Sequence, residues 1–81
     1  MSKTGLRELL QTIVESLVDY PEDVEVVEIQ GHRNDIFEIR VAQGEVGRVI
    51  GKQGNLARSI RTIMAGAAAK QGRRATVEIL D

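Results

Sequence analysis

The chain has 81 residues, 42% of them hydrophobic, a formal charge of −1 and no cysteine. That length holds one hydrophobic core and no second, and the missing thiols exclude disulfides and thiolate metal sites. No apolar run approaches the ~18 residues of a membrane span, and Met1-Ser2-Lys3-Thr4 lacks the apolar region of a signal peptide, so one cytoplasmic domain over residues 1–81 is expected, with no membrane association.

Leu6, Leu9, Leu10, Ile13, Val14, Leu17 and Val18 recur at helical spacing. They predict an amphipathic helix from about Thr4 to Asp19, with Thr4 as N-cap and Pro21 as the stop. Val24–Gln30 is rich in β-branched residues and reads as a strand. Gly31 to Asp35 supplies turn chemistry, and Ile36–Ala42 then alternates, with Phe37, Ile39 and Val41 on one face and Glu38 and Arg40 on the other. Gly44 opens a short helix over Glu45–Ile50. From Asn55 to Gln71 the apolar positions Leu56, Ile60, Ile63, Met64 and Ala67 predict a longer helix, stopped by Gly72. Ala75, Val77 and Ile79 alternate with Thr76, Glu78 and Leu80 in a closing strand.

The element order is therefore αββααβ. A short turn makes the first two strands antiparallel neighbours, while a crossover through two helices suits parallel pairing of the second and third. The expected fold class is α+β, a three-stranded mixed sheet with three helices on one face.

Between the last two helices lies Gly51-Lys52-Gln53-Gly54, preceded by the apolar pair Val49-Ile50. Two glycines spaced this way let a ligand approach the backbone, since no Cβ obstructs it and positive φ is tolerated. The helix beginning at Asn55 points its free N–H groups and positive dipole end at the same spot, which suits a phosphate, and Lys52 adds a mobile cation. The physical reading is a clamp on backbone phosphates.

Charge is distributed to match. Residues 1–45 carry four basic and ten acidic side chains, a net of −6. Residues 46–75 carry Arg48, Lys52, Arg58, Arg61, Lys70, Arg73 and Arg74 with no acid, a net of +7. A cationic stripe on an acidic body favours a specific anionic ligand over indiscriminate coating.

The run from Val49 to Gly54, with Arg58 and Ile60 after it, resembles the signature of the KH (K-homology) nucleic-acid-binding domain, whose G-x-x-G loop clamps about four backbone nucleotides. With its element order the likeness covers nearly the whole chain. It is nearest to the type II variant found in small bacterial single-KH-domain proteins of the KhpA type. Ala57 departs from it, standing where many KH domains carry a larger aliphatic residue. The resemblance implies a single KH domain binding single-stranded RNA, a post-transcriptional regulator or RNA chaperone. It places RNA contacts on Arg48, Val49, Ile50, Gly51, Lys52, Gln53, Gly54, Asn55, Arg58 and Arg61. It also implies an aliphatic base groove, for which Val49, Ile50, Leu56, Ile60 and Ile39 are candidates, and a homodimer or a heterodimer with a Jag-type KH protein.

Tyr20 and Phe37 are the only aromatics, too few for the stacking platforms of other single-strand binders. Catalysis and metal binding find no members: His32 is a lone turn histidine, and Ser59 and Thr62 have no base to activate them. Lys52 is followed by Gln53 where a Walker A loop needs Ser or Thr. The acidic run Asp19, Glu22, Asp23, Glu25 and Glu28 reads as a solvated face. No enzyme, cofactor or metal is expected. The alternative function is a protein-interaction adaptor, for which Ala65 to Ala69, a run of small residues, permits close helix approach.

Overall fold

A computed structural model describes residues 3–81, so Met1 and Ser2, part of the N-terminal reading above, lie outside it. In chain order it contains α1 (Leu6–Glu15), β1 (Glu25–Gln30), β2 (Asn34–Arg40), α2 (Val46–Ile50), α3 (Asn55–Ala69) and β3 (Arg74–Ile79). The strands lie in the order β1-β2-β3, β1 antiparallel and β3 parallel to β2. The expected αββααβ order and mixed sheet are both present.

Strand alternation decides which face is covered. Val26, Phe37, Ile39 and Val77 turn inward, where Leu6, Leu10 and Val14 of α1, Val49 of α2, and Ile60, Met64 and Ala68 of α3 close over them. Val27 and Ile29, one position out of phase, are left on the uncovered face at 40% and 49% exposure. The register carries this through: Val26 lies opposite Ile39, and Phe37 lies opposite Val77.

Several boundaries differ from expectation, each for a local reason. Gly5, not Thr4, is the N-cap of α1, although the Thr4 hydroxyl accepts the Leu6 N–H at 3.2 Å. The helix ends at Glu15, where the chain tightens into a last i−3 turn, the Leu17 N–H reaching the Val14 carbonyl at 3.0 Å. Pro21 instead opens a 3₁₀ turn, Pro21–Asp23. Strand β2 begins earlier than expected, at Asn34, and takes Asp35 from the turn into the sheet. In α3, Leu56 and Ile63 are exposed, while Ala57 and Ala68 are buried. The inward stripe of α3 is thus Ala57, Ile60, Met64 and Ala68, with the small side chains at its two ends.

Asp35 is fully buried. Arg73, just past α3, donates to it through Nε and a terminal nitrogen, both at 2.7 Å, and donates again to the Gly31 carbonyl at 2.8 Å. The Arg73 fork holds the Asp35 carboxyl below the usual carboxylate range, against the opposing effect of burial. Glu28, assigned by its neighbours to a solvated face, is instead turned inward beside this pair. Its Oε2 is buried with no hydrogen-bond partner among the described residues, and burial, then the charges of Asp35 and Glu8, push its carboxyl up.

Candidate nucleic-acid interface

The glycine loop is built by three residues that leave ordinary backbone space. Gly51 ends α2 at φ 78°, ψ 175°, its N–H bonded to the Gly47 carbonyl. Gln53 follows at φ 57° and Gly54 at φ 78°. The turn Lys52–Gly54 is closed by the Gly54 N–H on the Gly51 carbonyl at 3.2 Å. A Cβ on Gly51 would lie 2.7 Å from Cβ and Cγ of Leu56, so Gly51 is fixed both by its dihedrals and by contact. At Gly54 the space is open, and only the dihedral demands glycine.

Helix α3 starts at once from this turn. Its N-cap is Gly54, no side chain caps it, and its first turn holds no acid. The leading N–H groups and the dipole therefore present net positive potential to whatever lies against the loop. Asn55 does not cap; its Oδ1 accepts Arg58 Nη1 at 2.9 Å and so steers that guanidinium along the helix. Lys52 is exposed and forms no ion pair among the described residues.

The other cations expected at the site are partly engaged. Arg48 pairs with Asp19 at 3.0 Å, both side chains more than half exposed, a contact that solvent keeps weak. Arg61 donates through Nε and Nη2 to the Val77 carbonyl, each at 3.2 Å, and so leans on the edge of β3.

A groove of about 640 Å³ runs from the loop between α3 and the end of β3, lined chiefly by Ile50, Gly54, Ala57, Arg58, Arg61 and Ile79. Of the expected aliphatic candidates only Ile50 lines it. Val49, Ile60 and Ile39 are buried in the core, and Leu56 packs beneath Gly51. The residues that sequence reading missed are Ala57 and Ile79. Ala57 was visible as a small residue one helical turn beyond Gly54, and its size leaves the floor open. Ile79 was visible only as an inward strand residue; parallel pairing is what sets it beside α3.

Glu45, the N-cap residue of α2, was also missed. Its carboxylate is 4% exposed and accepts the backbone N–H groups of Asp19, at 2.6 Å, and Tyr20, at 3.3 Å. This ties the corner after α1 to the helix that carries the glycine loop. A glutamate preceding a short helix gave no sign of a partner 26 positions upstream.

Comparison with known proteins agrees with this geometry. Residues 7–79 match the family model described as KhpA/KhpB, KH domain. The chain is 51% identical over 73 residues to a Caldanaerobacter subterraneus protein named RNA-binding protein KhpA, covering 90% of this chain and 97% of that one. It is 47% identical over 75 residues to a protein of the same name from Clostridium acetobutylicum, covering 93% and 100%. It is 40% identical over 78 residues to the one from Aquifex aeolicus, covering 96% and 99%. No solved structure matches at comparable significance. With its mixed sheet, its G-x-x-G turn between two helices and this match over most of its length, the chain belongs to the KhpA/KhpB family of KH domains.

Proposed function

We propose that the protein is a single-KH-domain, cytoplasmic binder of single-stranded RNA that grips backbone phosphates through Gly51 to Gly54. One observation carries the reading: a glycine turn whose backbone is open at Gly54 delivers directly into an uncapped, acid-free helix N-terminus. Lys52 and Arg58 extend that positive end, and Ile50, Ala57 and Ile79 offer an aliphatic wall for unpaired bases. The names of its relatives support RNA as the ligand. With this binding we propose a role as post-transcriptional regulator or RNA chaperone.

Replacing Lys52 and Gln53 together by Asp puts two carboxylates where a phosphate would sit. Aspartate tolerates the left-handed backbone at position 53, so the fold survives. Anisotropy with short single-stranded RNA should show binding abolished while circular dichroism is unchanged. If three or four phosphates are neutralised, log K should fall against log salt with a slope of roughly −2 to −3, and single strands should outcompete duplex. Undiminished affinity in the folded double variant would remove the clamp.

A second reading is association with another KH chain, either a second copy or a Jag-type protein. Leu9 of α1 and Ile63 of α3, 38% and 49% exposed, flank a recess at Gly66, which supports an apolar contact there. This displaces the expected interface: Ala68 belongs to the core, leaving Ala65, Gly66 and Ala69 as the exposed small residues.

A further inference from the structure

The two strand registers set out the uncovered face of the sheet row by row. Asn34 and Arg74 stand side by side at the end where β2 and β3 begin. Ile29, Ile36 and Thr76 form the next row, then Val27, Glu38 and Glu78, and last Glu25 and Arg40. Val27 and Ile29 are exposed, and Ile36 is half-buried between its neighbours. The charges on this face are not balanced within one chain. Glu25 and Arg40 are opposite charges on neighbouring positions, but Glu38 and Glu78 are like charges on neighbouring positions, which repel. Neither of these two glutamates has an ion-pair partner among the described residues. Arg74, on the same strand as Glu78 and the same face, is exposed and likewise forms no ion pair there.

We propose that this face is a contact between two copies of the chain, related by a two-fold axis that crosses the strands at the row of Ile29, Ile36 and Thr76. Such an axis reverses strand direction, keeps each strand over its own copy and exchanges the rows on either side. Arg74 then faces the second copy's Glu78, Asn34 faces its Glu38, and Ile29 and Ile36 meet themselves. Each polar pairing occurs twice, as an isologous contact requires, and the antiparallel strands suit the aligned stacking of two sheets. The imbalance left on one copy is thus cancelled by the other. Area sets the strength. Three strands about 4.8 Å apart and six residues of about 3.3 Å give a footprint of roughly 300 Å², small beside the ~800 Å² per partner of a stable complex. The contact is therefore weak, with Kd on the order of 1 mM, and fills where copies are held close together. It is separate from the recess at Leu9 and Ile63, which lies on the helical side, and it leaves Gly51–Gly54 open.

The test is sedimentation of Ile63→Glu, in which the helix-side contact is opened. At about 1 mM and low ionic strength roughly half of the chains should be paired, and added salt should reduce that fraction. Arg74→Glu and Glu78→Arg, each made in that background and checked by circular dichroism, should each abolish pairing. The double reversal should restore it, and so should an equimolar mixture of the two single reversals, because every facing pair is again opposite in charge. Should a reversal disturb the sheet, Arg74→Gln or Glu78→Gln takes its place and should weaken pairing. Amide shifts of the unsubstituted protein give a second readout that does not depend on Ile63→Glu: those of Ile29, Ile36 and Thr76 should move with concentration. No pairing at that concentration in low salt, pairing indifferent to either reversal, a mixture that stays monomeric, or shifts confined to Leu9 and Ile63 would each overturn the contact. None of these outcomes touches the clamp, which is judged on RNA affinity alone.

Discussion

Asp35 and Arg73 meet through two parallel hydrogen bonds of 2.7 Å, with the carboxylate wholly out of solvent. The pair joins the start of β2 to the corner between α3 and β3, and thereby fixes where β3 enters the sheet. Lysine can supply the charge at position 73 but not the planar fork or the third bond to Gly31. Arg73→Lys should therefore lower the urea midpoint, and Arg73→Ala, which strands a buried carboxylate, should lower it further. Equal midpoints for the two variants would show that charge alone matters there.

The two glycines of the loop should respond differently to alanine. At Gly54 the side chain has room, so Gly54→Ala costs only the left-handed conformation, about 1 kcal/mol. At Gly51 the dihedrals lie in a region reserved for glycine, and the methyl meets Leu56, so about 3 kcal/mol is expected. Denaturant titration of both variants measures the difference. RNA affinity of folded Gly54→Ala should still fall, because its methyl occupies the open approach to the backbone.

Glu28 and Asp35 give stability opposite responses to acid. The Glu28 carboxyl is raised above its ordinary 4.5, so the folded state binds that proton more tightly, and the cost of its charge at neutral pH disappears as pH falls to 4.5. The Asp35 carboxyl is lowered below its ordinary 3.8, so its contribution is complete above 3.8 and is lost as pH falls further. Glu28→Gln should stabilise the protein at pH 7, because it removes a charge that burial and the neighbouring carboxylates disfavour. That advantage should vanish below pH 4.5. A constant advantage across the range would mean that shape and not charge is responsible.

Association should be read from solution mass by light scattering at high micromolar concentration. The wild type is expected to be dimeric, alone or with a KH partner, and Ile63→Glu to separate the chains while leaving the fold intact, since Ile63 is half exposed. Ala68→Glu, by contrast, would bury a charge in the core and unfold the chain. A wild type that stays monomeric in both circumstances would exclude this second reading.

Periodicity and glycine spacing were enough to read the element order, the sheet pairing and the loop. They failed where a residue's partner is distant in sequence. Asp35 looked like turn chemistry because Arg73 lies 38 positions away, and Glu45 looked like a helix start because the amides it accepts lie on the corner after α1. Val49 and Ile60 are base-groove candidates through the KH resemblance, yet a motif position does not distinguish the inner face of a helix from its groove face, and both are buried in the core. Ile79 lines the groove for a reason that only the pairing of β3 with β2 supplies, whereas Ala57 was legible as a small residue one turn beyond Gly54.

Glu45 grips the corner after α1 through main-chain amides alone. Every amino acid except proline supplies such an amide, so the side chains at positions 19 and 20 are free to drift without loosening the loop. The corner is thus a place where evolution can retune the loop's surroundings at no cost to its shape. Asp19 illustrates the latitude: its amide is held by Glu45 while its carboxylate reaches Arg48, so a relative with a neutral residue there would keep the same scaffold and release a cation toward the loop.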